Sequence, residues 1–151
     1  MIAIREPAVQ IKKSPTKQTT RPVQPKIIMV FSNAHDLRRI IQLSFEEIAE
    51  WQVFVADLDS QDLTFVSLIQ PDVILLDTNL PNSNELRILQ RIQKYPDLQH
   101  IPIVLLAARI FNRDRKRYHR LGIVAAIAKP CDMVTLATNI SQNLNWNWHQ
   151  F

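Results

Sequence analysis

From Lys26 onward, short continuous apolar runs alternate with longer amphipathic stretches. The runs fall at residues 27–31, 53–56, 73–76, 103–106 and 123–128, each four to six residues long and mostly β-branched or aliphatic. Apolar runs without polar alternation predict strands covered on both faces, the pattern of a parallel sheet. Pro71 stands just before the third run, Pro102 opens the fourth and Pro130 follows the fifth. At those positions a missing N–H does little harm to a strand ladder.

The stretches between the runs repeat their apolar residues with helical period. Leu37, Ile40, Ile41, Phe45 and Ile48 share one face of a first helix, and residues 60–70, with Leu63, Val66 and Ile69, predict a second. Leu86, Leu89 and Ile92, with Ile88 beside them, mark a third; Met133, Leu136, Ala137, Ile140 and Leu144 mark a fifth. The fourth, over residues 112–121, is polar and basic, and Gly122 follows where a helix end wants a left-handed residue.

Five βα units in succession predict one three-layer α/β domain, a (βα)5 doubly wound sheet of five parallel strands. The site of such a sheet lies beyond the carboxyl ends of its strands. The residues there are Ser32 and Asn33 after the first strand, Asp77 after the third, Ala107 after the fourth and Lys129 after the fifth.

Composition narrows the chemistry. The chain has 151 residues, 46% apolar and 21% charged, which suits one globular domain. Its longest apolar run, residues 101–108, contains a proline and falls far short of the roughly 20 residues that span a bilayer. Cys131 is the single cysteine, so the chain forms no internal disulfide and no multi-cysteine metal site, and it fits a reducing compartment. Gly122 is the single glycine. Phosphate-cradling loops and the nucleophile elbow need two or more at fixed offsets, which argues against Walker-type hydrolysis, dinucleotide binding and esterase chemistry. His35, His100, His119 and His149 lack ligand spacing, so a histidine metal site is not expected.

Charge is unevenly spread. Residues 1–26 carry six basic groups against Glu6, a net of +5, whereas the remaining 125 carry 12 basic and 13 acidic groups, a net of −1. With Pro7, Pro15, Pro22 and Pro25, residues 1–25 read as a disordered basic tail that cannot bury enough apolar surface to order itself. It is either a solvated leader or an arm for an acidic partner, nucleic acid or an anionic membrane.

The segment Pro71-Asp72-Val73-Ile74-Leu75-Leu76-Asp77-Thr78-Asn79-Leu80-Pro81, with Lys129-Pro130 after the fifth strand, resembles the receiver domain (CheY-like) of bacterial two-component response regulators, across residues 26–144. Spacing agrees with that family: Asn33 to Asp77 is 44 residues, Asp77 to Ala107 is 30 and Asp77 to Lys129 is 52. The resemblance implies a flavodoxin-like strand order 2-1-3-4-5 and a cytoplasmic, non-enzymatic signalling protein. It makes Asp77 the candidate acceptor of a phosphoryl group from a kinase phosphohistidine, and Lys129 the candidate contact to the phosphoryl oxygens. In the family an acidic pair after the first strand holds Mg²⁺, a Thr or Ser after the fourth strand bonds the phosphoryl group, and an aromatic on the fifth strand swings inward.

Here Ser32 and Asn33 stand at the acidic pair, Ala107 at the Thr/Ser position and Ala126 at the aromatic. Asn82 and Glu85 replace the usual glycines of the loop after Pro81. A carboxylate attacking a phosphoryl group brings two anions together and needs positive charge beside them. Mg²⁺ is therefore weakened as a cofactor, and the expectation is a pseudo-receiver, with an active phosphoacceptor at Asp77 as the alternative. The plainer readings are a strand-end carboxylate at Asp77, a solvated Lys129, a direct Asp77–Lys129 ion pair, and Ser32 and Asn33 as N-cap residues of the first helix.

Two surfaces remain. Residues 109–120 hold six basic groups, with Arg113, Arg115, Lys116, Arg117 and Arg120 in the fourth helix, against Asp114. Such a run is either a solvated face or, by resemblance to the family's output and dimer face, a site for an acidic protein partner; a histidine kinase, a downstream protein or a second copy is expected there before nucleic acid. Residues 145–151 form an aromatic tail with Trp146 and Trp148, which either folds back or anchors a partner. So few residues after the fifth helix leave a stand-alone module as the expectation. A small-ligand crevice ranks below these, because residues 32–36 lack a phosphate cradle.

Overall fold

The computed structural model describes residues 24–79, 81 and 85–147. Asn82, Trp148 and most of the basic tail lie outside them. Five strands, β1 (Ile27–Ser32), β2 (Gln52–Ala56), β3 (Val73–Thr78), β4 (Ile103–Ala107) and β5 (Ile123–Ala128), alternate with α1 (His35–Ile48), α2 (Thr64–Ile69), α3 (Arg87–Gln93), α4 (Arg115–Arg120) and α5 (Met133–Leu144). The strands pair in parallel in the order β2-β1-β3-β4-β5. Helices cover both faces: Val30, Leu75 and Leu106 pack on the α1/α5 side, and Phe31, Leu76 and Leu105 on the side of α2, α3 and α4. Central β3 is buried along its whole length, as its unbroken apolar run requires.

Several elements depart from the sequence reading for identifiable reasons. The buried stripe of α1 narrows to Ile41 and Phe45, while Ile40 and Ile48 are 51% and 39% exposed. Helix α2 is shorter than predicted; its approach is shaped by Asp62, which accepts from the backbone and hydroxyl of Thr64, and these bonds hold its carboxyl below the ordinary carboxylate range. The fourth helix splits into a 3₁₀ turn, Asn112–Asp114, and six α-helical residues that bury only Tyr118. Gly122 does adopt the left-handed conformation, with φ +86°. Neither Ser32 nor Asn33 caps α1: the N-cap is Ala34, because Ser32 still belongs to β1.

The amino edge of the sheet is closed by aromatics. Glu50 (φ 57°) and Asn145 (φ 58°) end α1 and α5 in left-handed turns. They return Trp51 and Trp146 against each other at 5.3 Å, edge to face, and Phe45 also meets Trp51 edge to face at 5.1 Å. Lys26 stands 5.0 Å over the Trp146 ring. The C-terminal Trp146 therefore folds back on the domain.

Candidate functional site

The parallel register brings the strand ends into one row at the carboxyl edge. Ser32 pairs with Asp77, Thr78 with Ala107, and Ala107 with Ala128. Sitting at the end of the most buried strand, Asp77 is only 3% exposed, and Ser32 is fully buried. A carboxylate so placed must be matched by donors, because burial of an unpaired charge costs several kcal/mol.

Both oxygens are matched. Lys129 Nζ donates to Asp77 Oδ1 at 2.7 Å, and Ser32 Oγ donates to Asp77 Oδ2 at 2.6 Å. The Ser32 hydroxyl accepts in turn from the Ala34 backbone N–H at 3.0 Å. Lys129 keeps its own place because its backbone N–H donates to the Ala107 carbonyl at 2.8 Å. Ala107 itself is buried at the end of β4, between the strands that carry Asp77 and Lys129.

Asn33 turns away from Asp77. Its Oδ1 accepts from the Leu58 backbone N–H at 2.9 Å and ties the end of β1 to the loop after β2. Glu85 Oε1 accepts from Asn79 N–H at 3.1 Å and braces the loop that follows β3. Among the described residues no cluster of three or more His, Cys, Asp or Glu side chains is arranged to hold a metal ion.

Sequence reasoning passed over three residues here. Arg38 on α1 donates to the Ser32 carbonyl at 3.1 Å and to Asp57 Oδ1 at 2.8 Å, with His35 Nε2 3.8 Å from the same carboxylate. Asp57 follows β2 directly, so the strand-end rule that singled out Asp77 also reaches it. The buried Thr78 hydroxyl has no hydrogen-bond partner among the described residues. Its signal in the sequence is only its place next to Asp77.

Much of the basic run faces solvent beside β5, around the buried Tyr118. Arg113, Arg115, Lys116 and Arg120 are exposed, and Arg117 is half-buried. Arg113 lies 4.7 Å from the centre of the Phe111 ring, and Arg115 Nε donates to Asn112 Oδ1 at 3.0 Å. Among the described residues the ion pairs are those of Lys129 with Asp77 and of Arg38 and His35 with Asp57, so the α4 cations are not neutralised within the domain. Ala126 is half-buried between this surface and the core.

The model of the response regulator receiver domain matches residues 28–141. The polar-differentiation response regulator DivK of Brucella anthropi is 29% identical over 75 residues, covering 50% of this chain and 61% of that protein. Response regulator Rre1 of Synechocystis is 22% identical over 109 residues, 72% of this chain and 47% of the relative. The chain thus spans less than two thirds of the length of either relative. Among solved structures, chemotaxis response regulator CheY4 of Vibrio cholerae superposes with a TM-score of 0.69 at 16% identity, over 80% of this chain and 99% of that one. The signal receiver domain of a histidine kinase from Syntrophus aciditrophicus gives 0.63 at 26% identity, over 80% and 90%.

Proposed function

This chain belongs to the response regulator receiver family of two-component signalling, and from that premise we propose that it acts by protein–protein recognition, with a degenerate phosphorylation site at Asp77. In this reading residues 26–144 are a cytoplasmic, non-enzymatic signalling module, flanked by a basic stretch before it and an aromatic stretch after it. The observation that carries the reading is the engagement of Asp77: one oxygen accepts from Lys129, the other from Ser32, and neither Ser32 nor Asn33 supplies a carboxylate.

Charge is the physical reason. Mg²⁺ sites use one or two carboxylates with waters and phosphate oxygens. Unit charges about 4 Å apart near a protein surface interact by about 4 kcal/mol, and a divalent ion doubles that. Loss of an acidic pair therefore removes most of the field that draws the ion from water. Asp77 and Lys129 together are neutral, and the Asn33 amide oxygen is committed to Leu58. This donor set does not fit Mg²⁺.

The second reading is a working phosphoacceptor, favoured by the 2.7 Å approach of Lys129 to Asp77. Incubation with acetyl phosphate and Mg²⁺, followed by intact mass measurement, separates the two. The degenerate reading expects no added phosphoryl group; an adduct that disappears in Asp77→Asn overturns it. Partner recognition is assigned to the exposed cations Arg113, Arg115, Lys116 and Arg120 with Arg117, which suit an acidic protein such as a kinase or a downstream component.

A further inference from the structure

Beside α4, the edge strand β5 is irregular. Ile103 pairs with Ile123 but Val104 pairs with Ala125, so the register slips by one residue and Val124 is left without a partner. Such a slip re-aims a side chain and spoils a sheet edge as a template for strand addition. Val124 is accordingly 50% exposed, a large apolar side chain on the margin of the basic surface. Next to it lies a recess of about 220 Å³, lined among others by Ile110, Arg115, Tyr118, His119, Val124 and Ala126.

Ala126 contributes only a methyl group to the lining of this recess. A cavity of about 150 Å³ already admits a benzene ring, so this one has room for an aromatic side chain. Its floor is apolar, its Tyr118 hydroxyl has no partner among the described residues, and Arg115 and His119 stand exposed in its lining. We propose that this recess receives one aromatic side chain of an acidic protein segment, whose carboxylates pair with the α4 cations around it. The proposal rests on the reading of α4 as the recognition surface and adds what that surface selects. A second copy meeting through the same face would set basic α4 against basic α4, so charge favours a different, acidic partner.

The test uses the full chain and two fluorescein-labelled peptides of Asp, Glu and Ser, one with a single central Phe and one with Ala in its place. By polarisation the Phe peptide binds roughly 10-fold or more tightly than the Ala peptide. Ala126→Phe fills the recess from within and abolishes that preference while leaving salt-dependent binding of both peptides. Arg115→Glu with Arg117→Glu weakens both. Equal binding of the two peptides to the native chain, with both still lost on charge reversal, overturns the aromatic recess but not the α4 surface. Binding of both that is indifferent to charge reversal overturns the two together. Duplex DNA bound more tightly than either peptide, or a dimer dissolved by Ala126→Phe, also overturns the proposal. The peptide comparison is made on native protein, so it stands even if Ala126→Phe fails to fold.

Discussion

Lys129 reaches Asp77 from two strands away, crossing the end of β4 above Ala107 to close a 2.7 Å ion pair. The pair is unevenly hidden: the aspartate side chain is 2% exposed and the lysine side chain 20%. Its removal from one side leaves a buried carboxylate held by Ser32 alone.

Lys129→Met therefore destabilises the domain by about 2–4 kcal/mol, toward the lower figure because the lysine is partly solvated. Asp77→Asn costs less, and the double variant recovers part of the Lys129→Met loss, since no unpaired charge remains. Urea denaturation of the four proteins gives the coupling energy; strict additivity counts against the pair as a structural unit.

Putting the acidic pair back tests the charge argument directly. Ser32→Asp with Asn33→Asp sets two further carboxylates near Asp77, so the variant unfolds more readily without divalent ions and is stabilised by Mg²⁺. At [Mg²⁺] of about 100 times its Kd, ligand linkage predicts about 2.7 kcal/mol of stabilisation. The degenerate reading expects no such response from the native chain in thermal melts. An equal response in the native chain refutes the degenerate reading.

Trp146 closes the amino edge by an edge-to-face contact with Trp51, under Lys26. Trp146→Ala costs about 2 kcal/mol, below the value for a fully buried tryptophan because the ring is half-buried. The denaturation midpoint reports the loss. Trp146→Phe retains most of the stability, since the ring contact survives.

Asp132 caps α5 by accepting from the Thr135 backbone N–H at 2.7 Å, and that bond holds its carboxyl below the ordinary carboxylate range. A depressed folded-state value means that the contribution is fully present above the unfolded-state pKa and is lost as pH falls through the folded one. The native chain should melt above Asp132→Ala at neutral pH, with the gap closing in acid below the usual carboxylate range. A gap that is constant with pH rules out the charged cap.

The sheet and the Asp77–Lys129 pair were legible because both leave strong local signals: unbroken apolar runs for buried strands, and charged residues placed where strands end. The direct ion pair stood among the plain readings, and the geometry places it. Arg38 carried no such signal, since an arginine on a polar helix face reads as solvated, yet it bonds both Ser32 and Asp57. Asp57 was within reach of the strand-end rule applied to β2. Helical period grouped Ile40 and Ile48 with Ile41 and Phe45, but period records angle about the axis and not where the covering elements stop. The capping role expected of Ser32 failed by position: Ser32 still belongs to β1, and the backbone N–H its hydroxyl accepts is that of Ala34, ahead of the first helical turn, where a capping oxygen would have to reach N2 or N3.

The contact of Lys26 with Trp146 has a topological consequence. The first and last described segments meet at one rim, whereas Asp77 lies buried at the other, about one strand length or some 16–20 Å away. A loop whose ends meet is easily threaded: such a unit drops into a host polypeptide as an insert, or accepts new termini elsewhere, without prying the sheet apart. Whatever is fused on either side departs from the rim that the aspartate does not share.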